Sequence, residues 1–289
     1  MAVTIRPGRP EDLAAVKGFA TDTFEWGDYV PDAYPEWLNE PNTVVLVATD
    51  PNDSPVALGR VVLLSTREAW FSAARVRPDH RRQGIGSIIN DHGVEWARDQ
   101  GAQVMRLATE DNNTGARSQV EKLGYRPVAR FVMAQRHFGQ PEPGTNGGKR
   151  LPADEKLDLA SSSEAEPAYL VWSSGDYPAA SHGLYACEGW AFRRLHAADL
   201  VRSARHRQLW ASPSAWVVIE PDEDQLWLPF LLTTAEDATR AARSLTDLAV
   251  ERTVKSMRAL IPRIDWLEEA LSAEHFQILH PNHIYEKPL

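Results

Sequence analysis

The alternation of hydrophobic and polar positions predicts an α+β domain in residues 1–139. Apolar, β-branched runs bounded by turn residues predict strands, whereas apolar residues at i, i+3, i+4 and i+7 predict helices. The predicted order is strand, helix, a meander of three strands, and then helix, strand, helix and strand. Thr21–Glu40, before the meander, shows no regular period and is predicted to be irregular. The predicted strands are Val3–Arg6, Thr43–Thr49, Val56–Leu64, Ala69–Val76, Val104–Thr109 and Arg126–Phe138, and the predicted helices begin at Pro10, Arg81 and Asn113.

The rest of the chain repeats this order more faintly. Gln140–Ser163 is rich in proline, glycine and serine, a composition that predicts a linker too polar to pack. The pattern then predicts a strand, a helix, two paired strands, and helix, strand, helix and strand. These elements are Tyr169–Trp172, Ala197–Leu209, Trp216–Ile219, Leu226–Leu232, Ala235–Val254, Met257–Ile261, Trp266–Leu271 and His283–Lys287. We therefore predict two domains, 1–139 and 164–289, joined by a linker at 140–163, with the second a degenerate copy of the first.

Composition narrows the classes of function. The chain has 289 residues, enough for two hydrophobic cores, and a formal net charge of −9. This charge argues against a nucleic-acid partner, which needs a basic face, and suits an amine substrate. The single cysteine, Cys187, excludes an intrachain disulfide, and the scattered histidines predict no metal site. No apolar run approaches the roughly 18 residues of a membrane span, and Met1–Pro10 lacks a signal-peptide core, so we expect a cytoplasmic protein.

The most informative segment lies where the strand ending at Val76 gives way to a helix. It reads Arg81-x-x-Gly84-x-Gly86, with Arg82 beside the first arginine. Glycines allow a ligand to approach the backbone, and the first amides of a helix together with its dipole attract an anion. The segment therefore predicts a pyrophosphate-binding loop.

Other interpretations of this loop are weaker. A Walker loop requires Gly-Lys-Ser/Thr, which is missing here. A dinucleotide-binding loop requires a third glycine at position 89, which is Ile89, and follows the first strand of a parallel unit. The remaining alternative is an ordinary glycine turn with solvated arginines.

Together with a second segment, this loop resembles the GNAT acetyltransferase superfamily. The second segment contains Asn113-Thr114-Gly115-Ala116 and Lys122-Leu123-Gly124-Tyr125 at a matching spacing. The resemblance implies a GNAT fold, with a mixed, mostly antiparallel sheet and flanking helices, and acetyl-CoA as cofactor. It places the pyrophosphate on the backbone amides after Arg82, and the pantetheine arm along the strand that ends at Val76. The residues that it assigns to the cofactor are Val76, Arg81, Arg82, Gln83, Gly84, Ile85, Gly86, Ser87 and Asn113.

Two family positions are occupied by other residues here. Val120 stands where many members carry a tyrosine that protonates the leaving thiolate, and Trp70 stands where many carry a glutamate as general base. Glu68 is two residues earlier, on the same face of its strand, and Glu110 ends the next strand. Either is a candidate base, and for each the alternative is a solvated carboxylate.

An acceptor wall is expected between the first helices. The resemblance assigns Glu25, Trp26, Asp28 and Tyr29 to it, although the residues from Tyr34 onward could instead form a packed helix face. This region and the two-domain layout are similar to the histidine N-acetyltransferase-like branch, which favours an amino-acid acceptor.

The function predicted is transfer of acetyl from acetyl-CoA to a primary amine of a small molecule, with the acceptor and the oligomeric state left open. The alternatives are a CoA-binding protein without turnover and a protein or peptide amine acetyltransferase. The second domain lacks a glycine in its corresponding loop and carries Glu236 and Asp237 there, so we predict that it does not bind acetyl-CoA. Trp190, Phe192 and Tyr285 are candidates for walling the acceptor cleft.

Overall fold

The computed structural model describes residues 3–20, 27–139 and 154–289. The chain divides into two compact units, and neither is a continuous segment. The first unit contains the residues up to Ala108, Gly115–Arg126 and Tyr285–Leu289. The second unit contains Thr109–Thr114 and Pro127–Ile284. Within the described ranges, no helix is long and apolar enough to cross a membrane.

The elements of the first part of the chain follow the predicted order closely. In chain order they are β1 (Thr4–Pro7), α1 (Leu13–Phe19), α2 (Val30–Trp37), β2 (Thr43–Thr49), β3 (Pro55–Leu63), β4 (Glu68–Val76), α3 (Ile85–Asp99), β5 (Val104–Glu110), α4 (Thr114–Lys122) and β6 (Arg126–His137).

The later elements are shorter and more numerous. They are β7 (Asp158–Leu159), α5 (Ala165–Ser174), α6 (Tyr177–Ser181), β8 (Leu184–Glu188), β9 (Ala191–Arg194), α7 (Ala197–Arg205), β10 (Leu209–Ser212), β11 (Ala215–Asp222), β12 (Gln225–Thr233), α8 (Ala238–Glu251), β13 (Ser256–Pro262), α9 (Asp265–Ala273), β14 (Gln277–Ile278) and β15 (Asn282–Pro288).

The sheet of the first unit runs β1-β2-β3-β4-β5-β15. Neighbours from β1 to β4 are antiparallel, and β4 pairs with β5 in parallel. One face packs on α3 through Phe71, Ile85 and Ile89, and the other packs on α1 and α2 through Val16, Tyr34 and further apolar side chains. The sheet is therefore mixed and covered by helices on both faces, as predicted.

The second unit repeats this arrangement with strands β6-β13-β12-β11-β10-β7, and β14 also pairs with β6. Its meander is again followed by one parallel pair, β12 with β13. The two units differ from the predicted division at residue 139, because β6 belongs largely to the second unit and the end of β15 to the first. Hydrophobic periodicity indicates that a segment is a strand but carries no information on which sheet it joins.

The end of the predicted linker is packed. Leu157 is fully buried, and β7 pairs with β10. Residues 140–153 of the predicted linker lie outside the described residues.

Two local predictions were wrong. Val30–Trp37 forms α2 rather than an irregular segment, in line with the alternative of a packed helix face from Tyr34 onward. The helix begins earlier than that alternative, because Pro31 is tolerated in the first turn and the Asp28 carboxylate accepts the Val30 N–H at 3.0 Å. Tyr169–Trp172 lies within α5 rather than in a strand. Burial of Ala165, Ala168 and Trp172 follows the helical period, which the short aromatic run obscures.

We predict that Gly59→Ala destabilises the first unit by about 1–3 kcal/mol, because a methyl group there overpacks the core beneath β3. Its Cβ would lie 2.8 Å from Ile89 Cγ2 and 2.9 Å from Phe71 Cζ. Urea unfolding monitored by circular dichroism measures the change. Gly18→Ala is the matched control, since its Cβ would meet nothing within 4 Å. A Gly59→Ala variant as stable as the parent would contradict this packing.

Candidate active site

The loop between β4 and α3, residues 77–84, is named the anion loop after the anion site that the sequence predicts there. After Val76 the chain makes one 3-10 turn, Pro78–His80, and α3 begins at Ile85. Arg82 and Gly84 adopt left-handed backbone angles, with φ of 61° and 79°. The first amides of α3 have no partner within the helix, and the positive end of its dipole lies there.

The two glycines serve this loop differently. At Gly84 a Cβ would meet nothing within 4 Å, so its positive φ and the space above it favour glycine. At Gly86 a Cβ would lie 3.1 Å from Gln119 Nε2, because α4 packs against the first turn of α3. The side-chain amide of Gln119 is thereby held beside the loop.

Charged side chains around the loop are mostly engaged with one another. Arg81 Nε donates to the Val76 carbonyl at 3.1 Å, so this guanidinium lies against the end of β4. Arg77 Nε donates to Asp79 Oδ1 at 2.8 Å, and His80 contacts the same oxygen at 2.8 Å. These hydrogen bonds, that of Arg77 first, lower the pKa of Asp79 to about 2. The acid nearest the loop is therefore paired with a cation.

β4 carries a bulge shortly before the anion loop. Arg60 pairs with Ser72 and Leu58 with Arg75, so Ala73 and Ala74 lie opposite Gly59 alone. Ala73 has a φ of 56°, in the left-handed region. A bulge re-aims the N–H groups of its strand, and here it lies between the anion loop and the parallel part of β4.

β4 and β5 pair over a short distance. Their parallel register joins Glu68 to Val104, Ala69 to Met105 and Trp70 to Arg106, where the described ladder ends. β4 continues to Val76 beyond that rung. The bulge and the loop thus follow the point where the two strands part.

Glu68, the first candidate base, is an ion-pair partner at the start of β4. It is buried, and Arg106 Nη1 donates to Glu68 Oε1 at 2.7 Å. Arg106 Nε donates to Glu286 Oε2 at 2.7 Å, which places β15 beside β5 in the same unit. Glu68 lies eight positions before Val76, about 26 Å along a strand, so the structure does not bring it to the anion loop.

The other residues assigned after β5 lie in a short connecting segment. Glu110 is exposed at the end of β5, and its carbonyl accepts the Asn113 N–H at 3.1 Å. Asn113 immediately precedes α4. Both belong to the second unit.

Two residues of the predicted acceptor wall contact the C-terminal half of β4. Arg75 donates from Nε to Asp28 Oδ2 at 2.6 Å and from Nη2 to Asp28 Oδ1 at 3.1 Å. Its guanidinium also lies 5.7 Å from the ring centre of Tyr29, which meets Trp37 edge-on at 6.0 Å. Burial raises the pKa of Tyr29. Glu25 and Trp26 lie outside the described residues.

Sequence reasoning missed the side chains that fix this face of the sheet. Arg75 and Arg60 come from neighbouring strands, and Arg60 donates to Glu40 at 2.7 Å while lying over Trp37 at 5.3 Å. Because side chains alternate between the faces of a strand, the sequence does indicate that each arginine lies on the α2 face. Pairing with particular acids depends on the three-dimensional fold, as does the contact between Arg106 and Glu286.

Tyr125 and Val120 are core residues. The Tyr125 hydroxyl donates to Met105 Sδ at 3.0 Å and accepts from Asn90 Nδ2 at 2.9 Å. Burial raises the pKa of Tyr125 to about 12. Val120 packs against the core beneath α3.

The second unit has a counterpart of this site with different chemistry. Val218 pairs with Phe230 and Glu220 with Trp227, so the bulge of β12 contains Pro229, which has no N–H to donate. The Thr233 amide donates to the buried Tyr177 hydroxyl at 3.2 Å. Thr234 Oγ1 donates to Asp237 Oδ2 at 3.0 Å just before α8, so an acid lies at the start of that helix.

Comparison with known proteins matches one part of the chain to a family. Residues 14–125 match the family model described as "Acetyltransferase (GNAT) family". These residues form a GNAT domain. The anion loop, the bulged β4 and α4 lie within the matched GNAT segment.

Relatives extend the likeness beyond the GNAT domain. Histidine N-acetyltransferase of Xenopus tropicalis is 26% identical over 156 residues, 49% of this chain and 47% of that protein. The chain spans less than half the length of the curated relatives that it matches.

Solved structures confirm the fold over the whole chain. A GCN5-related N-acetyltransferase from Sphaerobacter thermophilus has a TM-score of 0.68 at 14% identity, covering 99% of this chain and 95% of that one. A tandem GNAT protein from the clavulanic acid biosynthesis pathway has a TM-score of 0.60 at 12% identity, covering 99% and 98%. The predicted GNAT fold is therefore confirmed, and the chain's length and coverage are consistent with two GNAT-like domains.

We predict that Arg106→Met lowers the free energy of unfolding by about 3–5 kcal/mol, because it leaves the buried Glu68 carboxylate and that of Glu286 without their shared cation. Urea unfolding measures the loss, and adding Glu286→Gln to the variant should restore part of it. Arg126→Met, at an exposed arginine of the same unit, is the control. Equal stability of Arg106→Met and Arg126→Met would contradict the role given to this cluster.

Proposed function

We propose that the chain is an N-acetyltransferase that moves acetyl from acetyl-CoA to a primary amine of a small molecule. The observation that carries this proposal is the combination, on one strand, of the β4 bulge and the anion loop, beyond the point where β4 parts from β5. Such a strand suits a long ligand whose anionic end binds the loop and whose reactive end lies at the bulge.

The residues present fit acetyl-CoA. The amides of Gln83–Ser87, with Arg81 and Arg82 beside them, would hold the pyrophosphate, and the open space at Gly84 allows its approach. The edge of β4 from the bulge to Val76 would pair with the pantetheine arm. When bound, acetyl-CoA supplies an activated acetyl thioester with a thiol leaving group.

The chain's own residues contribute to acetyl transfer mostly by positioning the thioester and the amine. An N–H of the bulge at Ala73–Ala74 would donate to the thioester carbonyl, which develops negative charge during transfer. Val120 carries no proton donor, and the Tyr125 hydroxyl is used within the core, so neither supports the role of acid. Glu110 stays a candidate base. For Glu68, the ion pair with Arg106 favours a positioning role over proton abstraction.

The acceptor is proposed to be a small amine, with an amino acid as the leading class. Similarity to histidine N-acetyltransferase supports an amino acid, and the net charge of −9 suits a cationic group. The Asp28–Arg75 pair and Tyr29 form the described part of the acceptor wall. A second candidate is a CoA-binding protein without turnover, which Val120 and Trp70 favour because both family positions lack an ionisable group.

Release of free thiol from acetyl-CoA in the presence of an amine panel separates these two functions. Burial raises the pKa of Cys187, the single cysteine, to about 12, so the protein's own thiol contributes little signal. Turnover with an amino acid supports the proposal. Saturable CoA binding without turnover on any amine supports the second candidate.

We predict that Gly84→Glu weakens CoA binding at least tenfold, because the new carboxylate occupies and repels the pyrophosphate position. Calorimetry with CoA measures the affinity. Gly139→Glu is the matched control, since Gly139 has nearly the same φ, 80°, and the same open surroundings. If Gly84→Glu binds CoA as the parent does, the loop has been assigned incorrectly.

We predict one CoA site per chain. In the second unit, Pro229 removes the bulge donor, Tyr177 takes the Thr233 amide, and Asp237 opposes an anion at α8. Calorimetric titration gives the stoichiometry directly. A ratio of two CoA per chain would show that the second unit is not degenerate at its cofactor site.

A further inference from the structure

The last rung of the β4–β5 ladder carries two large, buried side chains. Trp70 is 4% exposed and Arg106 is 1% exposed. They are partners across the parallel ladder, so both side chains lie on the same face of the sheet. Their neighbours Ala69 and Met105 lie in the core on the α3 face. The last rung of the ladder therefore carries an indole and a guanidinium on the face opposite α3.

This rung is held from both sides. Arg106 donates to Glu68 on β4 and to Glu286 on β15, each at 2.7 Å. A guanidinium fixed by two carboxylates from different strands has little freedom to swing aside. Trp70 is the ladder partner of this fixed arginine.

The distance between the last rung and the bulge is short. Only Phe71 and Ser72 separate Trp70 from Ala73. Phe71 points into the α3 core, so Trp70 and Ser72 lie on the opposite face of β4. A group bound at the bulge could extend only along that opposite face. Trp70 has the largest side chain available in proteins, and it lies on that face.

We propose that Trp70 sets the acyl-group specificity of the site, admitting acetyl and excluding longer acyl chains. This inference rests on the proposed function, since it assumes that the thioester lies at the bulge of β4. Trp70 acts as a specificity-determining residue that limits the space beyond the carbonyl carbon.

The test compares acetyl-, propionyl-, butyryl- and hexanoyl-CoA in binding and in turnover. For the parent, we expect calorimetric affinity and kcat/KM to fall with chain length, by tenfold or more from acetyl to butyryl, as a pocket wall discriminates methylene groups. Trp70→Ala should raise the butyryl-to-acetyl ratio at least tenfold in both readouts. Trp70→Phe should give an intermediate butyryl-to-acetyl ratio. It replaces Trp70→Ala as the test variant if Trp70→Ala does not fold.

Trp96→Ala is the matched control. Trp96 is a partly buried tryptophan of α3, on the opposite face of the sheet, so its loss should keep the parent's order of acyl groups. The proposal is overturned if the parent uses butyryl-CoA as well as acetyl-CoA, or if folded Trp70 variants keep the parent's ratio.

The same data separate this inference from the proposed function. A parent that binds acyl-CoA in order of chain length without turnover refutes acetyl transfer and still supports the role of Trp70 through the binding series. A parent that turns over all chain lengths equally supports transfer and refutes that role. A parent that binds no acyl-CoA overturns both.

Discussion

The arrangement of the first unit depends on where the parallel pairing of β4 and β5 stops. Up to the rung of Trp70 and Arg106 the strands share a ladder, and beyond it β4 presents an edge that ends in the anion loop. Had the ladder continued, the backbone groups of β4 would be satisfied by β5 and unavailable to a ligand. The buried cluster of Arg106, Glu68 and Glu286 stabilises the rung from which the strands diverge.

Comparison of the two units shows which features carry the chemistry. Both have a meander, a bulged central strand, a parallel neighbour and a following helix. The first unit places alanines at the bulge and glycines in the loop. The second places Pro229 at its bulge, and its Thr233 N–H donates to the Tyr177 hydroxyl. The two units therefore share one fold and differ in a few side chains at the positions of the proposed cofactor site.

The sequence predicted the parts of the site that depend on local backbone chemistry. The loop glycines, the strands around them and α3 follow from periodicity and from the conformational freedom of glycine at Gly84. It did not predict the start of α2, or α5, where short apolar and aromatic runs hide the helical period. Nor could local patterns reveal the assignment of β6 and β15 to their units, or the ion pairs of Arg75 and Arg106, which join residues far apart in the chain.

Hydrogen–deuterium exchange with and without CoA tests the central claim most directly, because it reports which backbone amides the cofactor covers. The account predicts that CoA protects amides in two segments, the bulged half of β4 at 72–76 and the loop with the first turn of α3 at 83–88. Amides 230–240 of the second unit should be unchanged. Protection confined to the second unit, or absent from β4 at saturating CoA, would contradict the assignment of the site to the edge where β4 parts from β5.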